Sequence, residues 1–197
     1  NLLSSTIRED NDSLSADLSN EEFKAPFGLV QANTIHIKKE ESIRNDSFTK
    51  KIFLRNYNDR EVPINLEILF DADFSDVFEL RGFHTDQEKS KCLKTCQEGT
   101  SIHFDYKGRD GHFRKTKIDL KDGAGRFSNN RLTLELSLPP KELISFSLLI
   151  SFHSEEPGIK GRSVPLEGLK DLVPMIETDN AHFNHWIRRS ALDLLAL

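Results

Sequence analysis

The sequence predicts a mostly β fold, namely a large, supersandwich-like antiparallel β-sandwich followed by a C-terminal linker helix. Three segments alternate apolar and polar residues with a period of two: EVPINLEILFD, RLTLELSL and LISFSLLISF. Because successive side chains of a strand point to opposite faces, this alternation is typical of half-buried antiparallel strands. A chain of 197 residues is also long enough to form a core without disulfides or metals.

Weaker alternation extends the prediction to further strands. Together with the three strong segments, the predicted strands cover residues 14–18, 34–43, 47–57, 61–71, 102–106, 113–120, 131–138 and 143–152. Roughly eight to ten strands joined by short turns are the pattern of a β-sandwich.

The turn residues support this division. YNDRE joins two strong strands, so we expect a hairpin near Asn58 and Asp59. The pair Asp110-Gly111 favours a tight turn, because both central positions tolerate positive φ. Pro139 and Pro140 separate the last two strands, since proline cannot donate to a strand ladder.

Two segments lack strand alternation. Residues 84–99, HTDQEKSKCLKTCQEG, are polar, and we interpret them as an exposed loop with at most one helical turn. From Asp179 onward, apolar residues recur every three to four positions, which predicts an amphipathic helix capped by Asp179 or Asn180. The expected organisation is a β-sandwich domain over 1–178 and a linker helix over 179–197.

The composition narrows the classes of partner. A net charge of −5 argues against a nucleic-acid or anionic-membrane partner. No apolar run approaches the ~20 residues of a membrane span, and no signal peptide is recognisable.

Cys92 and Cys96, in CLKTC, lack the two-residue gap of redox and zinc motifs. We therefore expect free thiols and a cytoplasmic location, with a local disulfide as the alternative.

The stretch FDADFSDVFELRG contains four acids: Asp71, Asp73, Asp76 and Glu79. A calcium loop would have glycine at the sixth position, where this stretch has Asp76. Carboxylate pairs of glycoside hydrolases come from separate segments across a cleft. We interpret the stretch as a strand end followed by a helical turn that Asp73 or Ser75 caps.

No catalytic, cofactor-binding or metal-binding residue is predicted. His182 and His185 have helical spacing, but no HExxH motif or matching acid completes a zinc site. We expect His103 and His112, on either side of the Asp110-Gly111 turn, to face each other or solvent.

Five segments follow one another in a familiar order: SSTIREDNDSLSADLSN, IHIKKEESI, FTKKIFLRNYNDREVPINLEILFDADFSDVFELRG, FDYKGRDGHFRKTKIDL and FNHWIRRSALDLLAL. Together they resemble the N-terminal β-sandwich domain of the bacterial glycogen-debranching (amylo-α-1,6-glucosidase) family. The resemblance implies that this sandwich precedes an α/α-toroid catalytic domain that carries the hydrolytic carboxylates. It also implies that FNHWIRRSALDLLAL begins the linking helix.

These observations give the expected function: a non-catalytic accessory domain of a glucan-debranching-like glycoside hydrolase, which packs against the catalytic domain of the same polypeptide. The alternatives are an α-glucan-binding module and an independent enzyme that uses Asp71 and Asp73. The expected interface is one face of the terminal helix. Its residues are Phe183, Trp186, Ile187, Leu194 and Leu195.

A second expected partner is another copy of the chain. The chain starts at Asn1 without methionine and ends in the apolar run ALDLLAL, so we expect a piece of a longer polypeptide. A missing first strand would leave an open sheet edge, which favours a homodimer.

Overall fold

The computed structural model describes residues 1–8, 12–44, 47–75, 77–82, 94–108, 111–154 and 176–195. These residues form thirteen strands and two helices. The strands are β1 Leu2–Ile7, β2 Ser13–Ser19, β3 Phe23–Ala25, β4 Gly28–Val30, β5 Ile35–Arg44, β6 Ser47–Asn56, β7 Val62–Leu69, β8 Lys94–Glu98, β9 Ser101–Lys107, β10 Phe113–Asp122, β11 Arg126–Ser128, β12 Arg131–Leu138 and β13 Leu143–Ser154. The helices are α1 Val77–Leu80 and α2 Ala181–Leu195.

The strands form antiparallel sheets, which confirms the predicted fold class. The large sheet has eight strands in the order β1-β2-β5-β6-β13-β10-β9-β8. A three-stranded sheet has the order β11-β12-β7, and β3 and β4 form a separate hairpin. The division into a domain over 1–178 and a helix over 179–197 stays a prediction.

The core lies between the inner faces of the large and the three-stranded sheet. Its buried apolar residues are Val30, Ile35, Ile52, Leu54, Val62, Ile102, Phe104, Ile118, Leu120, Phe127, Leu132, Leu134, Leu138, Phe146 and Leu148. Burial of each such side chain contributes roughly 1.5–3 kcal/mol relative to exposure. Both sheets supply members of this cluster, as expected when two half-buried sheets pack face to face.

Gly125 packs directly against leucine side chains of both sheets. A Cβ atom at this position would lie 2.8 Å from Leu132 Cδ1 and 2.9 Å from Leu120 Cδ2. Contacts this short do not occur between real Cβ atoms and their neighbours, so a larger residue would push core side chains apart. Glycine at position 125 therefore allows the turn before β11 to pack directly onto the core.

The strands predicted from strong alternation are confirmed. Along β7, side chains alternate between buried or half-buried and exposed positions from Val62 to Leu69. In β12, Leu132, Leu134 and Leu138 are buried, and the residues between them are more exposed. Polar–apolar alternation therefore assigned the two faces of these strands correctly.

The hairpin expected near Asn58 and Asp59 is wrong. The strands on either side of it, β6 and β7, belong to different sheets. Each strand has its own partners: β6 pairs with β5 and β13, and β7 pairs with β12. The chain crosses from one sheet to the other here because the apolar faces of both strands are buried in the shared core.

The side chain of Asn56 holds this crossing. Asn56 is 0% exposed, and its Nδ2 donates to the backbone oxygens of Arg60 and Leu138, both at 2.8 Å. Its Oδ1 accepts the backbone N–H of Asn58 at 2.9 Å. The backbone oxygen of Asn56 also accepts the N–H of Lys141 at 2.8 Å. One residue thus bonds to two of the connections between the two sheets, β6 to β7 and β12 to β13.

The loop expected over 84–99 is also partly wrong. Strand β8, Lys94–Glu98, pairs with β9 at the edge of the large sheet. Its polar sequence has no apolar–polar alternation, so the pattern does not predict a strand. An edge strand can form without that alternation because main-chain hydrogen bonds to its neighbour stabilise it. Residues 83–93, which include Cys92, and the side chain of Cys96 lie outside the described residues. The state of the two thiols therefore stays a prediction.

We expect Asn56→Ala to lower the free energy of unfolding by about 2–4 kcal/mol, because it removes the four side-chain hydrogen bonds of Asn56, including one from Asn58 Nδ2, and the buried donor to the backbone oxygen of Leu138. Urea denaturation followed by circular dichroism measures this change. The matched control is Asn65→Ala on the exposed face of β7, where we expect a change below about 0.5 kcal/mol. Equal effects of the two variants would contradict the role of Asn56.

Candidate interface surfaces

Helix α2 has a well-defined start. Asn180 Oδ1 accepts the backbone N–H of Phe183 at 3.1 Å, so Asn180 is the N-cap and Asp179 is not. Thr178 and Asn184 close a second ring of bonds: Thr178 N donates to Asn184 Oδ1, and Asn184 Nδ2 donates to Thr178 O, each at 2.8 Å. These bonds fix the direction in which the helix leaves the preceding chain.

One side chain connects α2 to the large sheet. Arg189 Nη1 donates to the backbone oxygen of Arg8 at 3.0 Å, just beyond the end of β1. The same guanidinium donates from Nε to Asp193 Oδ1 at 3.2 Å, a pair four residues apart on the helix. Because Asp193 orients the Arg189 side chain, this contact holds the helix beside β1.

The predicted interface residues lie on a largely exposed part of α2. Phe183 is 48% exposed and Trp186 is 67% exposed, whereas Ile187 is half-buried. The side chains of Leu194 and Leu195 lie outside the described residues. Large aromatic side chains usually bury most of their surface, so this exposed pair is a candidate contact surface. Its assignment as a domain interface stays a prediction.

The acidic stretch forms a self-contained corner at the end of β7. Asp71 and Asp73 are exposed. Asp71 Oδ1 accepts the backbone N–H of Ala72 at 2.8 Å, and Asp73 accepts both the N–H and the hydroxyl of Ser75, at 3.0 and 2.7 Å. The helical turn expected after these acids is present as α1. Asp76 and the side chains of Val77 and Phe78 lie outside the described residues.

Phe74 anchors the same corner to the sandwich. Its ring stacks on Tyr106 with centroids 4.7 Å apart and an interplanar angle of 12°. Its φ of 50° is unusual for a bulky residue and turns the chain sharply between β7 and α1. The stacking and the turn support the structural interpretation of this segment rather than a ligand-binding one.

The remaining titratable groups are dispersed. Within the ranges that the structure describes, there is no group of three or more potential metal ligands. His103 is buried and lies opposite Lys117, with Asp105 Oδ2 at 3.6 Å from its Nε2. The expectation that His103 faces His112 or solvent is therefore wrong, because the register of β9 and β10 places another residue opposite it.

Two exposed ion pairs shift the pKa values of their members. The hydrogen bond from Lys38 to Glu40, at 2.6 Å, raises the pKa of Lys38. The hydrogen bond from Lys141 to Asp59, at 2.8 Å, lowers the pKa of Asp59. Each shift favours the charged form that the group already has at neutral pH, so neither pair is suited to proton transfer there.

Two grooves lie on the outer faces of the sheets. One, of about 550 Å³, lies over the three-stranded sheet and is lined by residues that include Arg126, Thr133 and Glu135. The other, of about 340 Å³, lies on the large sheet across β1, β2, β5 and β6.

Neither helix, over its described residues, has the length and apolar character that a bilayer crossing requires.

A family model for the N-terminal domain of (some) glycogen debranching enzymes matches residues 1–148. The chain belongs to this family. The match covers every strand from β1 to β12 and most of the large sheet, and it confirms the resemblance identified in the sequence. None of the curated proteins matches the sequence.

Solved structures show weak likenesses. A protein assigned as a kojibiose phosphorylase from the human microbiome is 12% identical, with a TM-score of 0.48, over 95% of this chain and 24% of that chain. A protein of Synechocystis sp. PCC 6803 is 10% identical, with a TM-score of 0.42, over 79% of this chain and 66% of that chain. A polysaccharide lyase is 14% identical, with a TM-score of 0.40, over 82% of this chain and 24% of that chain. With TM-scores below 0.5, none of the three carries weight for function.

Trp186 allows a direct test of its exposure, because the chain contains one tryptophan. We expect acrylamide to quench its fluorescence in the isolated chain nearly as efficiently as that of a free tryptophan derivative, since most of the side chain is exposed to solvent. Steady-state quenching measures this. The Asn56→Ala variant in urea supplies the fully exposed reference. Strong protection in the folded chain would contradict the exposed position.

Proposed function

We propose that this domain is non-catalytic and packs against the glucan-hydrolysing catalytic domain of the same polypeptide, where it borders the substrate cleft. The exposure of Trp186 carries the proposal. Its helix is capped by Asn180 and bonded to the sheet by Arg189, and these contacts fix the position of Trp186 relative to the sheet. An anchored aromatic side chain that stays exposed is typical of a surface that a partner covers.

The family supports a place beside a catalytic domain, although its match does not extend to α2. The chain belongs to the N-terminal domains of glycogen debranching enzymes, and the family match ends before α2. The acids Asp71 and Asp73, the strongest catalytic candidates in the sequence, bond to their own turn and are exposed. We therefore do not propose an independent enzyme that uses them.

Burial of apolar side chains on α2 would contribute favourable free energy to domain docking. Burial of Trp186 and Phe183 would remove from water two large apolar side chains that are about half or more exposed. Each large apolar side chain contributes roughly 1.5–3 kcal/mol on full burial. A contact within one polypeptide also loses less translational freedom than one between separate molecules, so a given apolar patch holds two linked domains together more effectively than two separate proteins.

We expect Trp186→Ala, in the polypeptide that contains both domains, to lower the melting temperature of the catalytic unit and its activity on glucan together. The reason is the loss of apolar contact area between the domains. Calorimetry and reducing-sugar assays measure the two effects. The control is Phe113→Ala, which removes an exposed aromatic ring from the β9–β10 hairpin and leaves α2 intact. Unchanged melting and activity in Trp186→Ala would reject the proposal.

We propose in addition that the 197-residue chain self-associates through β1. This strand forms one edge of the large sheet, and all six of its residues are exposed. It contains neither proline nor a charged residue, the devices that commonly protect an edge from pairing. A second copy could add its own β1 in antiparallel orientation and continue the sheet.

A cytoplasmic location stays a prediction.

Ile7→Lys tests this edge. We expect it to shift the chain from dimer to monomer, because a lysine on an edge strand opposes edge-to-edge pairing. Sedimentation velocity measures the change. The matched control is Ile43→Lys: Ile43 is 58% exposed, against 54% for Ile7, but lies on β5 inside the sheet. The chain remaining monomeric at high concentration without any substitution would refute the edge assignment.

A further inference from the structure

The groove on the outer face of the large sheet is built from rows of hydroxyl and charged side chains. The strand register places Thr6 opposite Ser15, Ser15 opposite Glu40, and Glu40 opposite Lys51. Directly opposed residues share a face of the sheet, so these four side chains form one row across β1, β2, β5 and β6. All four line the groove.

A second row runs beside the first. Ser13 lies opposite Ser42, and Ser42 lies opposite Thr49. These three side chains also line the groove. The Ser13 hydroxyl oxygen is buried, and it has no hydrogen-bond partner among the described residues. Because solvent does not reach this oxygen, the hydroxyls that this row presents to a ligand are those of Ser42 and Thr49, each a donor and an acceptor.

The charges around the groove are mixed in sign. Glu40 bonds to Lys38 at 2.6 Å, and the groove is lined by Glu40 and Glu41 together with Lys51, Arg44 and Arg8. Such a lining does not create a strong field of one sign, which would select an anion or a cation. It offers many donors and acceptors at once, and a neutral ligand rich in hydroxyl groups matches that chemistry.

We propose that this groove binds a neutral oligosaccharide chain of the α-glucan type. Its volume of about 340 Å³ falls in the range of small-ligand sites and suits a short oligosaccharide segment. The family, N-terminal domains of glycogen debranching enzymes, directs the choice among neutral polyols to α-glucan. The assignment goes beyond domain packing and does not depend on it, because none of the described residues that line the groove belongs to α2.

The groove also determines the expected strength of binding. The described lining has no aromatic ring for sugar stacking; the half-buried ring of Phe53 lies one step further along the same face of β6. Hydrogen bonds alone exchange protein–water contacts for protein–sugar contacts and yield little net affinity. A dissociation constant of about 1 mM is therefore expected. Such weak sites become useful when linked to a second site on the same polypeptide.

Titration of the isotope-labelled chain with maltohexaose, followed by amide NMR, tests the proposal. Saturable shifts should appear at the amides of residues 13–15, 40–44 and 49–51. The double variant Glu40→Gln, Thr49→Val should weaken binding about tenfold, because it removes an acceptor charge and a hydroxyl while retaining side-chain size. Valine is well tolerated in strands, so the fold should persist.

The matched control is the double variant Glu135→Gln, Thr133→Val, which makes the same changes in the groove over the three-stranded sheet. It should leave maltohexaose binding unchanged. Three results would overturn the assignment: no shifts at about 10 mM maltohexaose, ten times the expected dissociation constant; loss of binding in the control instead of the test variant; or shifts with phosphate and none with sugar. None of these results bears on domain packing, which Trp186 reports separately.

Discussion

The buried amide of Asn56 is the constraint on which the sandwich depends. The chain crosses between the two sheets at one end, after β6 and again before β13, and both crossings bond to this residue. An amide without access to water must find its partners within the protein, so the two connections can approach in few ways. The resulting geometry places the apolar face of β7 and β12 over that of β6 and β13, where the core forms.

This arrangement leaves the two ends of the large sheet unequal. The core residues of that sheet come mainly from β6, β13, β10 and β9, whereas β1 is exposed along its whole length. The anchoring bond of α2, the open edge and the hydroxyl-lined groove all lie at the β1 end. The end of the sheet whose strands β1 and β2 contribute none of the described buried apolar residues is thus the end where these three surfaces lie.

A role in holding surfaces in place is physically reasonable for this sandwich. A rigid sandwich holds its surfaces in place because its interior is close-packed, as the close approach at Gly125 illustrates. The carboxylates that first suggest catalysis, Asp71 and Asp73, instead stabilise the corner that follows β7. Local acids next to a tight turn satisfy backbone donors at little cost, and this explains their density without a substrate.

The sequence alone determined the features that depend on local alternation and local hydrogen bonds. It predicted the strong strands, the antiparallel class, the helical turn after the acidic stretch, and the terminal helix with a cap at Asp179 or Asn180, of which the structure selects Asn180. Only the tertiary structure decided that β6 and β7 join different sheets, that the polar segment of β8 is an edge strand, and that His103 lies opposite Lys117. The exposed state of Trp186 and the rows of hydroxyls in the groove also depend on it. The reason is that strand pairing and register are long-range choices: a backbone hydrogen bond can be made with any strand, and distant parts of the chain decide which one.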